Sequence, residues 1–186
     1  MTKKQKKDIE RRVSHIGVQG PHVRTIWSHV PIVFTQDDFR LWDYPHNDAM
    51  VIDCVIDRYI VHNVLVDNCS ATHILTAKAL KKMGFTEKEL QPSDNPLCGF
   101  RRKKLDALEK ISQTVCFDQG RNARAEKAIF DVVDIDYPYN IVIGWPTLNT
   151  FEVVVHSSYL AMKIPSKYEV ITAFGSQEDA KKDERS

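Results

Sequence analysis

The residues best suited to chemistry stand together at the end of one apolar run, Val64-Leu65-Val66-Asp67-Asn68-Cys69-Ser70-Ala71. Aliphatic residues followed by a carboxylate and small polar residues predict a buried strand that delivers an acid to its tip. An Asp in that place serves most often as a turn residue, because its side chain satisfies nearby backbone. It serves as a catalytic acid or base where burial and a neighbouring charge tune its pKa. Cys69 offers a second chemistry, since His73 follows four residues later. A thiol at a helix N-terminus beside a histidine is the nucleophile–base pair of a thiol hydrolase. No Asn or Asp stands out as an orienter for His73, and the pair reads equally as a small core cysteine next to an exposed histidine. Zinc would need two further ligands at zinc-site spacing, and none is present, so neither a metal nor another cofactor is expected.

The elements that must position Asp67 follow from the pattern around it. Met50 to Ile56 and Ile60 to Val66 are strand-like, with Asp57-Arg58 as the turn, so a hairpin runs into Asp67. Ala71, Leu75, Ala79 and Met83 then recur every four residues, with Ile74 and Leu80 beside them. That spacing predicts one amphipathic helix closed by Gly84. Thr86 with Glu89 makes a capping box for a short turn. Leu97-Cys98-Gly99-Phe100, before the basic run Arg101 to Lys104, suits an exposed hairpin tip that can flex. Ile111, Gln113, Val115 and Phe117 share one face of a strand, and Ala128 to Ile135 forms another. Ile141-Val142-Ile143-Gly144 is a second fully apolar run, and Pro146 suits the first turn of a short helix after it. Phe151 to Val155 and Tyr159 to Ile164 predict a hairpin, with a last strand over Tyr168 to Phe174. His62 and His156 suit structural places on a strand and in a turn. The fold class is mainly β, a small closed barrel or sandwich with one helix after the Asp67 strand and one short helix near the C-terminal part.

Three segments follow: a basic tail and arm over residues 1–47, a domain over 48–175, and a charged tail over 176–186 that is expected to fray. A formal net charge of +1 points to neither a nucleic acid nor a membrane as partner. The aromatic residues do not interleave with the basic ones, as a nucleic-acid platform would require. No apolar run approaches the roughly 20 residues that span a bilayer. The Lys-rich N-terminus has no apolar core behind it, and none of the four cysteines forms a Cys-x-x-Cys pair. Free thiols in a reducing compartment follow, which predicts a cytoplasmic or nuclear chain rather than a secreted one.

Taken in order, these words resemble the retropepsin-like aspartic protease region of plant gypsy-type LTR retrotransposon gag-pol polyproteins. The resemblance rests on Pro45-His46-Asn47-Asp48-Ala49-Met50-Val51-Ile52, Val64-Leu65-Val66-Asp67, Ile74-Leu75 and Lys82-Met83-Gly84. It continues through Pro96-Leu97-Cys98-Gly99-Phe100, Phe130-Asp131-Val132-Val133-Asp134, Tyr137-Pro138-Tyr139-Asn140, Ile143-Gly144-Trp145-Pro146-Thr147-Leu148-Asn149 and His156-Ser157-Ser158-Tyr159-Leu160. It implies a closed acid-protease barrel and a homodimer in which each copy gives one Asp67 to a shared water, acting on a peptide or polyprotein. It also implies an active-site loop of Asn68, Cys69, Ser70 and Ala71, a flap at Leu97, Cys98, Gly99 and Phe100, and a supporting strand at Ile143 and Gly144. The family's loop is Asp, then Thr, Ser or Gly, then Gly, then Ser or Ala. Here Asn68 and Cys69 depart from it, and a Cys on a backbone shaped for Gly predicts strain of about 1–3 kcal/mol and a crowded partner loop. The alternative reading is a catalytically inactive dimerisation or peptide-binding module on the same fold.

Overall fold

A computed structural model describes residues 30–92, 97–98, 104–105, 109–118 and 122–183. The basic tail, Gly99 and Phe100 of the hairpin tip, and Gly120 lie outside the described residues. The strands are β1 (Val51–Ile56), β2 (Tyr59–Val66), β3 (His73–Thr76), β4 (Gln91–Pro92), β5 (Leu97–Cys98) and β6 (Lys104–Leu105). They continue with β7 (Glu109–Phe117), β8 (Arg124–Val133), β9 (Ile141–Ile143), β10 (Val154–His156), β11 (Ala161–Ile164) and β12 (Ile171–Phe174). Among the described residues, three α-helices are short: α1 (Ala77–Lys82), α2 (Trp145–Thr150) and α3 (Gln177–Asp183). None of the described helices is long and apolar enough to cross a membrane.

Six strands close on themselves in the order β1-β2-β9-β3-β8-β7, and Val55 and Ile56 of β1 pair with Cys116 and Val115 of β7 to shut the barrel. Closure removes most open edges from so small a sheet. Period-two alternation carries the core: on β7, Ile111, Gln113, Val115 and Phe117 all point inward. Val64, Leu75, Phe130, Ile143 and Phe151 are fully buried at its centre. Cys54 belongs to the same core, where burial pushes its thiol up to about 12 and leaves it a small hydrophobe.

The structure departs from the sequence reading between Ala71 and Met83. His73–Thr76 is a strand, paired in parallel with β8 and antiparallel with β9, and the helix starts only at Ala77. The apolar spacing fits a helix, yet Leu75 also sits on the inward face of a strand, and two neighbours with open backbone groups decide the outcome. Thr76 then caps α1 by accepting from the Ala79 N–H at 3.3 Å. The capping box at Thr86 and Glu89 forms as its spacing requires, with the Glu89 carboxylate accepting from both the backbone and the hydroxyl of Thr86.

The charged C-terminal tail is also different. Gln177–Asp183 is helical, with Gln177 and Ala180 buried. The Gln177 carboxamide accepts from the Trp42 N–H at 3.1 Å and donates to the Asp43 carbonyl at 3.0 Å and to Asp48 at 2.6 Å. One amide thereby joins α3 to the arm that precedes β1, and Arg40 stacks over Phe174 at 3.8 Å beside it.

Past the barrel, β10, β11 and β12 form a three-stranded sheet. Arg124 of β8 ties this part to the barrel. Its guanidinium donates to the carbonyls of Phe151 at 2.7 Å, Pro165 at 2.9 Å and Thr150 at 2.7 Å, in a buried position. Truncating it leaves three carbonyls without their donor. Arg124→Ala is therefore expected to destabilise the fold by about 3 kcal/mol, read as a lowered urea midpoint. Glu126, whose partly exposed carboxylate lies 3.5 Å from the Arg124 Nε, contributes less, and Glu126→Gln is expected to stay within about 0.5 kcal/mol of the native chain.

Candidate active site

Strand β2 ends at Val66, and the chain turns through Asp67, Asn68, Cys69 and Ser70 before it re-enters the barrel as β3. Two backbone bonds pin this loop to the β9–α2 segment: the Asp67 N–H donates to the Ile143 carbonyl at 3.0 Å, and the Trp145 N–H donates to the Ser70 carbonyl at 2.8 Å. Asp67 caps its own turn, because its Oδ1 accepts from the Cys69 N–H at 2.9 Å. The Ser70 hydroxyl donates to the Thr72 carbonyl at 2.8 Å. The carboxylate itself is half-buried, with Asn68, Cys69 and Ala71 exposed around it.

Gly144 lies directly against this loop. A Cβ there would meet the Thr72 carbonyl oxygen at 2.2 Å and the Ser70 carbonyl oxygen at 2.6 Å, both backbone atoms that cannot swing aside. The end of β9 thus lies against the Asp67 loop, and Gly is required by close approach rather than by a left-handed backbone. Ile143, the residue before it, is fully buried.

Cys69 corrects two expectations. It is not among the described non-glycine residues with left-handed backbone, which are Asp57, Asn63, Asp118, Glu152 and Leu160, so the expected strain is absent. Nor does it start a helix, since β3 follows the loop. Its thiol donates to the Asn68 side-chain oxygen at 3.6 Å, and both nitrogens of His73 are engaged elsewhere, so no thiol–histidine pair forms. Among the described residues, no cluster of three His, Cys, Asp or Glu side chains is placed to hold a metal ion.

Three contributors hold roles that the sequence does not show, and one of them, His73, is buried where one reading expects it exposed. His73 is buried, with Nδ1 accepting from the Gly144 N–H at 3.0 Å and Nε2 lying 3.0 Å from the Thr147 hydroxyl. Thr72 donates its hydroxyl to the buried carboxylate of Asp131 on β8, which Lys110 approaches at 3.9 Å. Tyr137 lies within electrostatic reach of Asp67: burial raises its hydroxyl above the ordinary 10.0, and the charge of Asp67 raises it further. The one signal for His73 was its place two residues before Leu75, on the same face of a strand. The predicted hairpin tip is partly described, with β5 and β6 pairing Leu97 to Leu105 and Cys98 to Lys104. His62 sits exposed on β2 against Asp53 at 2.7 Å. His156 packs between Phe34 and Tyr159.

No family model matches the chain. No curated protein matches it either. Solved structures do. The retroviral protease-like domain of Ddi1 from Leishmania major superposes with a TM-score of 0.52 at 13% identity, over 72% of this chain and 98% of that one. EIAV protease complexed with the inhibitor HBY-793 superposes with a TM-score of 0.44 at 17% identity, over 61% of this chain and 98% of its own. A retropepsin-like aspartic protease from Rickettsia conorii gives 0.40 at 15% identity, over 68% and 82%. At such identities the likeness is one of fold, and the fold of this chain is the retropepsin-like closed barrel.

The contact at Gly144 makes a sharp expectation. Gly144→Ala drives a methyl into two carbonyl oxygens, so the loop or β9 must move. A loss of at least ~2 kcal/mol in denaturant unfolding is expected. Gly175→Ala, whose added Cβ meets its nearest atoms at 3.1–3.2 Å, is expected to lose less.

Proposed function

We propose that this chain is an aspartic endopeptidase domain that works as a homodimer, with Asp67 of each copy flanking one water. Two carboxylates about 3 Å apart cannot both ionise, so the pair holds one proton. The ionised Asp67 takes a proton from the water as its oxygen attacks the scissile carbonyl carbon. The protonated Asp67 gives its proton to the carbonyl oxygen. Collapse of the tetrahedral intermediate breaks the C–N bond, and the amine leaves with a proton from the dyad. No metal or cofactor is needed for any step.

The observation that carries this reading is the state of Asp67: a half-buried carboxylate at a strand tip, on a loop pinned by the Ile143 and Ser70 carbonyls, with Gly144 beneath it. Among the described residues one such acid stands on a loop of this kind, and a second copy related by a two-fold axis would supply the other. Leu97, Cys98, Gly99 and Phe100 would form the flap that closes over the peptide and sheds water, which the pairing of β5 with β6 supports. The substrate would be the polyprotein of a plant gypsy-type LTR retroelement, a reading carried by sequence resemblance, and the compartment cytoplasmic or nuclear.

One observation favours the second reading, an inactive dimerisation or peptide-binding module. Asn68 and Cys69 are exposed beside Asp67, where the partner loop would have to pack.

The test joins mass in solution with peptidase activity on a peptide library from about pH 4 to 8. A species of twice 21.4 kDa is expected, with cleavage that falls by about 10³-fold or more in Asp67→Asn. Cys69→Gly is expected to raise kcat/KM by about tenfold through relief at the dimer seam. A dimer that cleaves nothing, in either the native or the Cys69→Gly form, establishes the inactive module. Cleavage that survives Asp67→Asn removes Asp67 from the chemistry.

A further inference from the structure

We propose that His73 is a positioning residue, a neutral-ring latch that holds the Gly144 turn under the Asp67 loop and releases it on acidification. The latch is a property of the fold; its effect on catalysis rests on the endopeptidase reading above.

The ring is 5% exposed and packs against Phe130 with centroids 5.5 Å apart. Nδ1 accepts from the Gly144 N–H, so it carries no proton. The proton of the neutral ring is therefore on Nε2, from which it is donated to the Thr147 hydroxyl at 3.0 Å. One side chain thus bridges three pieces: β3, which leaves the Asp67 loop, the Gly144 turn, and the first turn of α2.

Protonation would set an Nδ1–H donor against the Gly144 N–H donor at 3.0 Å. Neither can yield alone. Gly144 is wedged against the Ser70 and Thr72 carbonyls, and its neighbours Ile143 and Trp145 carry the bonds to Asp67 and Ser70. A repelled Gly144 therefore carries the loop with it.

Asp131 on β8 favours the imidazolium. Lys110 on β7 lies 3.9 Å from Asp131, and Lys127 on β8 lines the same hollow. From β9 and α2 the ring meets backbone N–H and a Thr hydroxyl, neither of which titrates. Burial outweighs Asp131, and the ring's pKa lies below the ordinary 6.5. An unfolded chain then takes up protons before the folded one does. The stability held by the neutral ring is full above 6.5 and is lost as pH falls from there through the lowered folded value.

The experiment follows amide hydrogen exchange at Gly144, corrected for intrinsic rate, while the His73 ring is titrated by NMR. The native chain should lose about tenfold or more of Gly144 protection as His73 gains its proton, with Val115 in the opposite wall unaffected. In His73→Asn, the amide oxygen replaces Nδ1 as acceptor and does not titrate, so Gly144 protection should stay flat across the same range. The acid limb of peptidase activity should move to lower pH in that variant. His73→Phe should leave Gly144 unprotected at every pH; if it fails to fold, His73→Asn decides. Gly144 protection that is flat in the native chain, that falls together with Val115, or that still falls in His73→Asn overturns the latch. The expected exchange pattern without cleavage at any pH keeps the latch and removes the endopeptidase reading.

Discussion

The architecture depends on how closely two backbone segments pass. Gly144 lies so near the Ser70 and Thr72 carbonyls that a single methyl does not fit. That approach lets β9 sit beside β2 in parallel register, Val64 to Ile141 through Val66 to Ile143, while its other edge pairs with β3. A strand flanked on one side by the run into a loop and on the other by the run out of it fixes both ends of that loop. The Asp67 carboxylate then has little freedom beyond its own rotamers, which is the preorganisation that an acid–base group requires. The two supporting bonds, Asp67 to Ile143 and Trp145 to Ser70, fall on either side of the glycine and act as its clamps.

What the sequence made legible was whatever local pattern alone could decide. The alternation over Ile111 to Phe117 could only be a half-buried strand, and a glycine followed by Trp145-Pro146 could only open a helix in one direction. His73–Thr76 was not decidable in that way. Its apolar positions satisfy both a helical and a strand period, and its state is set by pairing partners in β8 and β9, from His73 with Phe130 to Ile74 with Val142, that lie far along the chain. Gln177–Asp183 was misread for a related reason: a charge-rich composition hid two buried positions, Gln177 and Ala180, whose partners lie in the arm before β1. Arg124 gave no signal at all, because nothing local tells an arginine that ends in three carbonyls from one that ends in water.

Of the candidate site, the sequence singles out Asp67 and Gly144 and no further residue of the loop's support. Both announce themselves by residue type at the end of an apolar run. The residues that tie these two together, His73, Thr72 with Asp131, and Thr147, are polar side chains satisfied by partners distant in sequence. His73 drew notice only for its spacing from Cys69, and the fold separates that pair by giving each a different partner. Buried polar groups of this kind are costly if unpaired. Around the Asp67 loop these bonds join β3, β8 and α2, while among the described residues the second Asp131 oxygen has only Lys110 at 3.9 Å near it.

The two glycine-like positions of the loop system carry different constraints, and the chain treats them differently. At Gly144 the obstruction is within the chain, so a side chain there is paid for in folding, whatever the function. At Cys69 the chain itself raises no objection. Its N–H is held by Asp67, its thiol reaches Asn68, its backbone is outside the left-handed region and its side chain meets solvent. On the homodimer reading, only a second copy packing against residues 68–70 could penalise a Cβ at that position. A Cys at this position therefore leaves the barrel untouched and, on the homodimer reading, would bear on the seam between copies. On that reading the chain keeps the whole retropepsin-like fold while the geometry of the paired carboxylates would be decided elsewhere, by how two exposed Cys69 side chains would share the space about the two-fold axis.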